Sequence, residues 1–298
     1  MAEYIFGNIV FVAGDKGGRF PFCNSLFIND DVRVIVDPGA GRERLTEIAR
    51  TEHIDMVLNT HYHFDHIAYN YLFKNAKIFI NEIEADCYRD RKEIARRLGL
   101  LEVYGADWVE GWINRIRQPN TPQSPYSPQN RHEWWLSTAR IDGAYQWGEL
   151  LDFGKTKMQV IGAPGHTEGF SCFYFPNEGV VYVADIDLTL FGPWYFGSDG
   201  DIEQFIQSAN MIASLDAKFF ITGHEAGIVP APEFRERVQD YLEKIEERHQ
   251  KMIAVSREHS DLNELVAQGV FYGPKFLCDE FIRAWEEIAV KKHLQKLG

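Results

Sequence analysis

Short apolar segments separated by glycine, asparagine and aspartate dominate the first sixty residues. Runs rich in β-branched and aromatic side chains with such boundaries are typical of strands. They predict strands at residues 4–6, 9–12, 25–28, 32–36 and 56–58. Leu45, Ile48 and Ala49 have helical spacing and predict a helix before the last of these strands. From there strands and helices alternate, which favours an α/β fold.

The second half of the chain continues this alternation and then becomes helical. A strand at 77–80 and a charged helix at 82–98 come first. Further strands are predicted at 149–153, 158–161, 171–175, 180–183 and 219–222, with a helix at about 202–215. Beyond Pro232, charged amphipathic segments predict helices at 233–256, 261–268 and 276–297. We therefore expect a main domain of residues 1–231 and a C-terminal helical appendage of residues 232–298.

Residues 101–141 interrupt the regular pattern. Tryptophans lie on either side of a proline-rich segment at 119–128. Proline excludes a continuous helix or an interior strand there, whereas the aromatic side chains favour packing onto other parts of the molecule. We predict an ordered insertion, about residues 84–148, that overhangs a pocket.

Charge and cysteine content narrow the classes of function. The 298 residues include 31 Lys and Arg against 44 Asp and Glu, a formal net charge of −13. Without a basic cluster, such a surface repels phosphate backbones, so nucleic acid is not an expected partner. The four cysteines form no CxxC pair and predict neither disulfides nor a thiolate metal site. No signal peptide or membrane-spanning run is found, so we expect a cytoplasmic protein without a membrane partner that acts on a small molecule. Nothing in the sequence indicates an oligomeric state.

The strongest chemical signal follows the strand at 56–58, where three histidines and an aspartate lie within six residues: His61, His63, Asp65 and His66. Side chains two positions apart in an extended loop point the same way, so His61 and His63 can reach one metal ion while Asp65 and His66 reach a second. A single histidine near a strand end is more often a hydrogen-bonded structural residue. Four such groups buried without a metal would leave unpaired polar atoms, so the motif predicts a site for two metal ions.

Three later strand ends carry further candidate ligands. His166 lies in the segment Pro-Gly-His-Thr-Glu-Gly, a weak signal alone, and His224 follows the strand at 219–222 and a glycine. Asp185 follows an apolar strand and is placed to bridge two cations; Asp187 is the alternative for that role or a supporting residue. Core packing does not readily produce several strand ends that each deliver a ligand towards one edge.

These motifs together resemble the metallo-β-lactamase superfamily: His-x-His-x-Asp-His, then a histidine in a glycine-flanked turn, an aspartate and a final histidine, over roughly residues 9–227. The resemblance implies a four-layer αββα sandwich with the metal ions at one edge of the two sheets, so that the main domain is the catalytic one. It implies that His61, His63 and His166 hold the first metal ion, that Asp65, His66 and His224 hold the second, and that Asp185 bridges them. The C-terminal helices resemble the winged-helix-like appendage of glyoxalase-II-like hydrolases of the lactamase-beta-2 type.

The branch of this superfamily is indicated by Asp185. Enzymes that open β-lactam rings usually have a cysteine or no ligand at the bridging position, so antibiotic hydrolysis is disfavoured and the broader glyoxalase-II-like hydrolases are favoured. Two metal ions, zinc first and iron or manganese as alternatives, would lower the pKa of a shared water towards ~7, and the resulting bridging hydroxide would be the nucleophile. Asp65 would orient it and accept its proton.

The expected reaction is hydrolysis of a thioester, an ester or a lactone. Phe64, Trp194 and Tyr195 are the expected substrate-binding residues. Phe64 lies inside the first histidine motif, and Trp194 and Tyr195 follow Gly192-Pro193, which marks a loop typical of a pocket wall rather than a core strand. The alternatives are a phosphodiesterase or nuclease and a mononuclear iron sulfur dioxygenase, which uses two histidines and one aspartate. The alternative that is not an enzyme is a catalytically idle metal-binding sensor.

Overall fold

A computed structural model describes residues 5–121, 124 and 128–296 of the chain. The predicted strand residue Tyr4, much of the proline-rich segment and the end of the last predicted helix lie outside the described residues.

The first sheet has seven strands within the described residues, and their spatial order follows the chain. They are β1 (Ile5–Phe6), β2 (Ile9–Val12), β3 (Ser25–Ile28), β4 (Val34–Val36), β5 (Met56–Leu58), β6 (Lys77–Asn81) and β7 (Gly143–Tyr145). Neighbours from β1 to β4 are antiparallel, and those from β4 to β7 are parallel.

The second sheet has six strands in the described part of the chain, again in chain order. They are β8 (Leu150–Asp152), β9 (Lys157–Gly162), β10 (Ser171–Phe175), β11 (Val180–Ala184), β12 (Phe219–Thr222) and β13 (Ile228–Pro230). Among these described strands, only the β11–β12 pair is parallel. As a result β9, β11 and β12 run in one direction and end at the same edge of the sheet.

Eleven α-helices and three 3₁₀ helices connect and cover these strands in the described residues. The α-helices are α1 (Asp15–Gly18), α2 (Arg42–Thr51), α3 (Phe64–Ile67), α4 (Asp86–Arg89), α5 (Arg91–Arg97), α6 (Leu100–Ile116), α7 (His132–Ser137), α8 (Ile202–Ala213), α9 (Ala231–Ser256), α10 (Leu262–Ala267) and α11 (Glu280–Gln295). The 3₁₀ helices are Asn70–Leu72, Glu82–Glu84 and Pro274–Phe276.

Alternating side chains of the first sheet face two different cores. Leu26, Val36 and Leu58 join the inner face of the second sheet in one buried cluster. Phe27 and Val57, one position away, pack in a second cluster that includes helical residues. On the second sheet, helix α9 packs against β12. Two sheets between helical layers confirm the predicted four-layer αββα sandwich.

The segment after β6 differs from its prediction in two ways. The helix predicted at 82–98 is divided, because Asp90 has extended backbone angles (φ −137°, ψ 115°) and its side chain accepts the Lys92 N–H to begin α5. The irregular segment predicted from residue 101 contains the 17-residue helix α6, which has a kink at Gly105 (φ +79°). Trp112 of α6 and Trp134 of α7 are buried. The insertion at about residues 84–148 stays a prediction.

The C-terminal region is helical, as predicted, and no strand occurs among its described residues 231–296. Buried residues of α9, α10 and α11 belong to the same apolar cluster as α5 and α6. The division of the chain at residues 231 and 232 stays a prediction. In the described part of the chain no helix combines the length and apolar character that crossing a bilayer requires.

Candidate metal centre

The seven predicted metal ligands lie at neighbouring edges of the two sheets. His61 to His66 follow β5, and α3 begins within this motif. His166 follows β9, Asp185 directly follows β11, and His224 lies two residues after β12. The parallel direction of β9, β11 and β12 therefore brings side chains from distant parts of the chain to one place, as is usual at the carboxyl ends of strands.

Three turns that present these side chains have unusual backbone angles. Asp37, Ala184 and Glu225 have φ values of +46°, +42° and +44°, a left-handed conformation that is costly for residues other than glycine. Ala184 directly precedes Asp185, and Glu225 directly follows His224. Strain of this kind costs on the order of 1–3 kcal/mol per residue and is concentrated at functional sites.

The first group of potential ligands comprises His61, His63, His166 and Asp185, all buried. His166 Nε2 lies 3.2 Å from His61 Nε2, 2.9 Å from His63 Nδ1 and 3.0 Å from Asp185 Oδ2. Four ligands at about 2.0–2.1 Å from one ion in a tetrahedral site are roughly 3.3 Å apart. The three separations given above, 2.9–3.2 Å, are slightly shorter than that value.

The second group comprises Asp65, His66 and His224, which are also buried. His224 Nε2 lies 3.3 Å from His66 Nε2 and 3.2 Å from Asp65 Oδ2. The Oδ1 atom of Asp185 lies 2.7 Å from His66 Nε2, while its Oδ2 atom faces the first group. One carboxylate thus contacts both groups.

The outer nitrogens of four of these histidines have partners of their own, among them His61 Nδ1, which lies 3.0 Å from the Thr60 hydroxyl oxygen. His166 Nδ1 donates to the Trp194 carbonyl at 2.8 Å, and His224 Nδ1 donates to the Gly18 carbonyl at 2.8 Å. His66 Nδ1 lies 2.8 Å from Asp37 Oδ2. Carbonyls only accept hydrogen bonds, so in the neutral ring the proton is on Nδ1 and the Nε2 lone pair points into the group. This is how ligand histidines are normally oriented.

Burial and the two carboxylates set the pKa values of the rings in opposite directions. Burial, and then the charge on His66, lower the pKa of His61 well below its usual range. Burial also lowers the pKa of His224, but the charges of Asp185 and Asp65 outweigh it and raise the pKa to about 10. Without a cation, therefore, protons occupy part of the site.

A further observation shows that the histidine and aspartate side chains of the site suit divalent cations. Asp185 Oδ1 is buried and accepts no hydrogen bond, although His66 Nε2 is 2.7 Å away. An ionised oxygen without a hydrogen bond in a buried site is costly unless a cation compensates it. Imidazole nitrogen and carboxylate oxygen are ligands that zinc, iron and manganese all accept.

A cavity of about 550 Å³ borders both groups. Phe64 and Trp194, two of the three predicted substrate-binding residues, line it. Tyr195 does not line it, so this part of the prediction is wrong. The Tyr195 side chain is buried and its hydroxyl lies 2.9 Å from His293 Nε2 in α11. The two adjacent side chains therefore have different surroundings: Trp194 lines the cavity, whereas Tyr195 packs against α11.

Two buried carboxylates that contact the ligand loops were missed from the sequence. Asp37 accepts hydrogen bonds from the Thr60 N–H and hydroxyl at 2.7 and 2.6 Å and also contacts His66. Glu84 accepts the N–H of Tyr62, between His61 and His63. Asp37 had the same signal as Asp185, an acidic residue directly after an apolar strand. Glu84 had no comparable signal.

The sequence model of the family described as "Metallo-beta-lactamase superfamily" matches residues 18–88 and 147–224, together half of the chain. These segments contain all seven candidate ligands. The chain belongs to the metallo-beta-lactamase superfamily. The unmatched residues between the two segments contain α5 to α7, and the C-terminal helices lie beyond the match.

Solved structures of this superfamily share the fold. A metallo-beta-lactamase family protein from Thermus thermophilus is 19% identical, covers 98% of this chain and 94% of its own, and has a TM-score of 0.66. A beta-lactamase domain protein from Burkholderia ambifaria is 15% identical, with 99% and 89% coverage and a TM-score of 0.63. At such low identity the likeness concerns the fold alone.

Curated relatives are similar over a shorter stretch. A hydroxyacylglutathione hydrolase from Bartonella tribocorum is 24% identical over 155 residues, 52% of this chain and 58% of that protein. One from Mesorhizobium japonicum is 26% identical over 155 residues, with 52% and 57% coverage. The chain thus matches less than two thirds of the length of these relatives. They support the glyoxalase-II-like branch expected from the sequence.

Proposed function

We propose that this protein is a metal-dependent hydrolase of thioesters, with esters and lactones as related substrates. It holds two divalent cations, zinc first, with iron and manganese as alternatives. The first cation is assigned to His61, His63 and His166, the second to Asp65, His66 and His224, and Asp185 is shared between them.

The observation that carries this proposal is the position of Asp185. Its Oδ2 atom lies 3.0 Å from His166 Nε2 and its Oδ1 atom 2.7 Å from His66 Nε2. A carboxylate that contacts both groups suits a pair of neighbouring cations, whereas a mononuclear site would need only one group. The cavity beside both groups gives a small substrate access to them.

Divalent cations in such a site lower the pKa of a bound water from 15.7 towards about 7 and polarise a substrate carbonyl. Asp65 borders the cavity and its Oδ2 lies 3.2 Å from His224 Nε2. The Asp65 carboxylate is therefore placed to orient the attacking water and to accept its proton. The water oxygen forms a bond to the carbonyl carbon, the carbon–sulfur or carbon–oxygen bond breaks, and the leaving thiolate or alkoxide takes up a proton.

The choice of a thioester is supported by the relatives, which are named for hydrolysis of hydroxyacylglutathione. A phosphodiester is disfavoured by charge. Among the described residues that line the cavity Arg19 is the only Lys or Arg, whereas Asp65, Asp187 and Glu225 are acidic. The proposed cytoplasmic location and the absence of nucleic-acid partners stay predictions.

The test combines metal analysis with a panel of substrates. We expect two equivalents of metal per chain, and hydrolysis of a simple thioester that a chelator abolishes and added metal restores. Asp185→Asn should reduce kcat/KM at least about 100-fold, whereas Asp240→Asn, at an exposed position of α9, should have no effect.

Other results would select an alternative. Preferential cleavage of a phosphodiester would support a phosphodiesterase. One equivalent of iron with oxygen consumption would support a sulfur dioxygenase, and two metals without turnover of any substrate would support a sensor. Full hydrolytic activity after complete metal removal would refute the proposal.

A further inference from the structure

The cavity beside the metal centre has an apolar wall built largely by the C-terminal region. Tyr272, Phe276, Ile282 and Trp285 line the cavity together with Trp134 of α7. Ile282 and Trp285 lie on α11, and Phe276 lies in the 3₁₀ helix before it. These wall residues lie outside the segments that match the superfamily.

This wall is held in a defined position. The Trp194 indole N–H donates to the Tyr272 hydroxyl at 2.8 Å, and the Trp194 and Trp285 rings meet edge to face at 5.5 Å. Glu286, fully buried, accepts the backbone N–H groups of Phe271 and Tyr272 at 3.1 and 2.9 Å. The C-terminal region is thus tied to the loop that carries Trp194, next to His166.

Charged side chains occur at another part of the cavity. Arg19 and Glu225 form an ion pair at 3.6 Å and are both substantially exposed, with side-chain exposures of 73% and 41%. Neither the C-terminal wall residues nor Trp134 carries a charge. The polar hydrogens of this wall are the unpartnered indole N–H groups of Trp134 and Trp285 and the Tyr272 hydroxyl, and these named residues supply no cation to compensate the burial of a carboxylate or phosphate on the substrate.

We propose that the substrate carries an uncharged, apolar acyl group and that the C-terminal wall around Trp285 and Ile282 binds this group. The proposal rests on the hydrolase function proposed above and names its substrate class. A cavity of about 550 Å³ is within the range of roughly 300–1,000 Å³ that encloses ligands of ordinary size. Each methylene buried there should raise kcat/KM about four-fold until the wall is covered.

The experiment uses metal-loaded full-length protein and thioesters of one thiol, N-acetylcysteamine, that differ only in the acyl group. We expect kcat/KM to rise from acetyl through butyryl to hexanoyl. The succinyl thioester, in which a carboxylate replaces the terminal methyl group of butyryl, should be no better than acetyl. Trp285→Ala should lower kcat/KM for hexanoyl at least about ten-fold and leave acetyl within three-fold. Trp147→Ala, a tryptophan that does not line the cavity, is the matched control.

The outcomes separate this proposal from the function on which it rests. Turnover of acetyl and hexanoyl thioesters at equal rates, or a preference for succinyl, would overturn the substrate class and leave the hydrolase intact. If no thioester is hydrolysed, calorimetric binding of hexanoate and succinate still tests the wall. Tighter binding of hexanoate that Trp285→Ala abolishes would support it, and equal binding would refute it. Should Trp285→Ala fail to fold, Ile282→Ala replaces it.

A second inference concerns Glu84, a fully buried carboxylate at the end of a 3₁₀ helix. Its Oε2 accepts the Tyr62 N–H at 2.8 Å. Its Oε1 accepts the Gly169 N–H at 3.0 Å and the Thr167 hydroxyl. Tyr62 lies between His61 and His63, and Thr167 directly follows His166. One side chain therefore connects the two loops that provide the three histidines of the first group.

The surroundings show that this connection is closely packed. A Cβ atom on Gly169 would lie 2.7 Å from Glu84 Cγ, so the carboxylate can approach the loop only because residue 169 is glycine. Arg97, nearly buried, supplies positive charge nearby and contacts Glu168 at 3.0 Å and Asp199 at 3.4 Å. Three donors surround the two Glu84 oxygens: the Tyr62 N–H, the Gly169 N–H and the Thr167 hydroxyl. Both oxygens must therefore be hydrogen-bond acceptors.

We infer that Glu84 is a positioning residue that sets the spacing of the first group of ligands. Glu84→Gln tests this with little change in size, because its amide group must face either the Tyr62 N–H or the Gly169 N–H. We expect the affinity for one of the two zinc equivalents to fall about 10- to 100-fold, as for other residues that support metal ligands. The second equivalent should bind as in the wild type.

The measurement is a zinc titration of metal-free protein against a competing chromophoric chelator, with thermal unfolding recorded in parallel. Glu168→Gln is the matched control. The Glu168 carboxylate contacts the same Arg97 but accepts no N–H from either ligand loop. If Glu84→Gln does not fold, Thr167→Val is tested in its place. It removes one of the donors to Glu84 and should lower the zinc affinity by a smaller factor. A variant that unfolds at lower temperature but binds both zinc ions like the wild type would show a merely structural role and refute the inference. Failure of the wild type to bind zinc, iron or manganese would instead refute the proposed function.

Discussion

Replacing Asp37 by asparagine should weaken the second group of ligands specifically. Asp37 is fully buried and directly follows β4. Its Oδ1 accepts the Thr60 N–H at 2.7 Å, and its Oδ2 accepts the Thr60 hydroxyl at 2.6 Å and lies 2.8 Å from His66 Nδ1. The carboxylate thereby keeps the proton of His66 on Nδ1 and the Nε2 lone pair directed at the candidate metal position.

An asparagine cannot satisfy these donors in either orientation. With the amide nitrogen in place of Oδ2, the amide N–H of residue 37 faces the Nδ1–H of His66. This conflict is relieved only if the proton of His66 moves to Nε2, where it blocks metal binding. With the nitrogen in place of Oδ1, it opposes the Thr60 N–H. A buried donor without an acceptor costs about 1–3 kcal/mol, which corresponds to roughly a 5- to 150-fold loss of metal affinity if the cost falls on the bound state.

The assay is a zinc titration of the metal-free protein in competition with a chelator. Asp37→Asn should lose affinity for one equivalent by a factor in this range. Asp55→Asn is a suitable control, since Asp55 accepts the Arg33 N–H at 2.8 Å but contacts no candidate ligand. Wild-type affinity for both equivalents in Asp37→Asn would show that His66 needs no carboxylate partner and that the reasoning is wrong.

Three further outcomes are expected. Gly39→Ala should lower the unfolding temperature and the zinc content, because its Cβ would lie 1.7 Å from the Asp65 carbonyl oxygen; an unchanged zinc content would contradict this. Neighbouring carboxylates outweigh burial and raise the pKa of His224 to about 10, so zinc must displace a proton from this ring. Zinc affinity measured from pH 6 to 9 should therefore rise about ten-fold per pH unit for each displaced proton. An affinity that does not depend on pH would contradict this expectation. Lys292→Met should reduce the free energy of unfolding, measured in urea titrations, by roughly 2–4 kcal/mol, because Lys292 Nζ donates to three backbone carbonyls within residues 195–200. A loss below about 1 kcal/mol would contradict this role.

Much of the fold was predictable because its signals are local. Predicted strands such as 25–28, 56–58 and 219–222 agree with β3, β5 and β12. Each is a short apolar run with polar or glycine boundaries. The local sequence therefore already favours an extended strand, and tertiary structure only adds the pairing between strands. The candidate ligands share this property, since they follow a strand directly or by a few residues.

The structure of residues 101–141 was not predicted because two local signals conflict there. Val109, Trp112 and Ile116 are buried at helical spacing in α6, which is a helix signal. The downstream prolines indicated irregular structure, yet they lie beyond the end of α6, and Gly105 only kinks this helix. Aromatic packing against the C-terminal helices, such as the Trp112–Phe281 contact at 6.0 Å, stabilises this helix, and such packing is a tertiary effect.

The same division between local and tertiary signals applies to the site. A histidine at the end of a strand can be recognised along the chain, whereas the groups that orient it come from other segments. Trp194 supplies the carbonyl that fixes His166, and Glu84 lies between loops that are a hundred residues apart in sequence. The wall around Trp285 comes from the C-terminal region, which the superfamily match does not reach. If this wall binds the acyl group as proposed, specificity depends on the part of the chain that the motifs describe least, and substitutions there should change the choice of substrate before they change the chemistry.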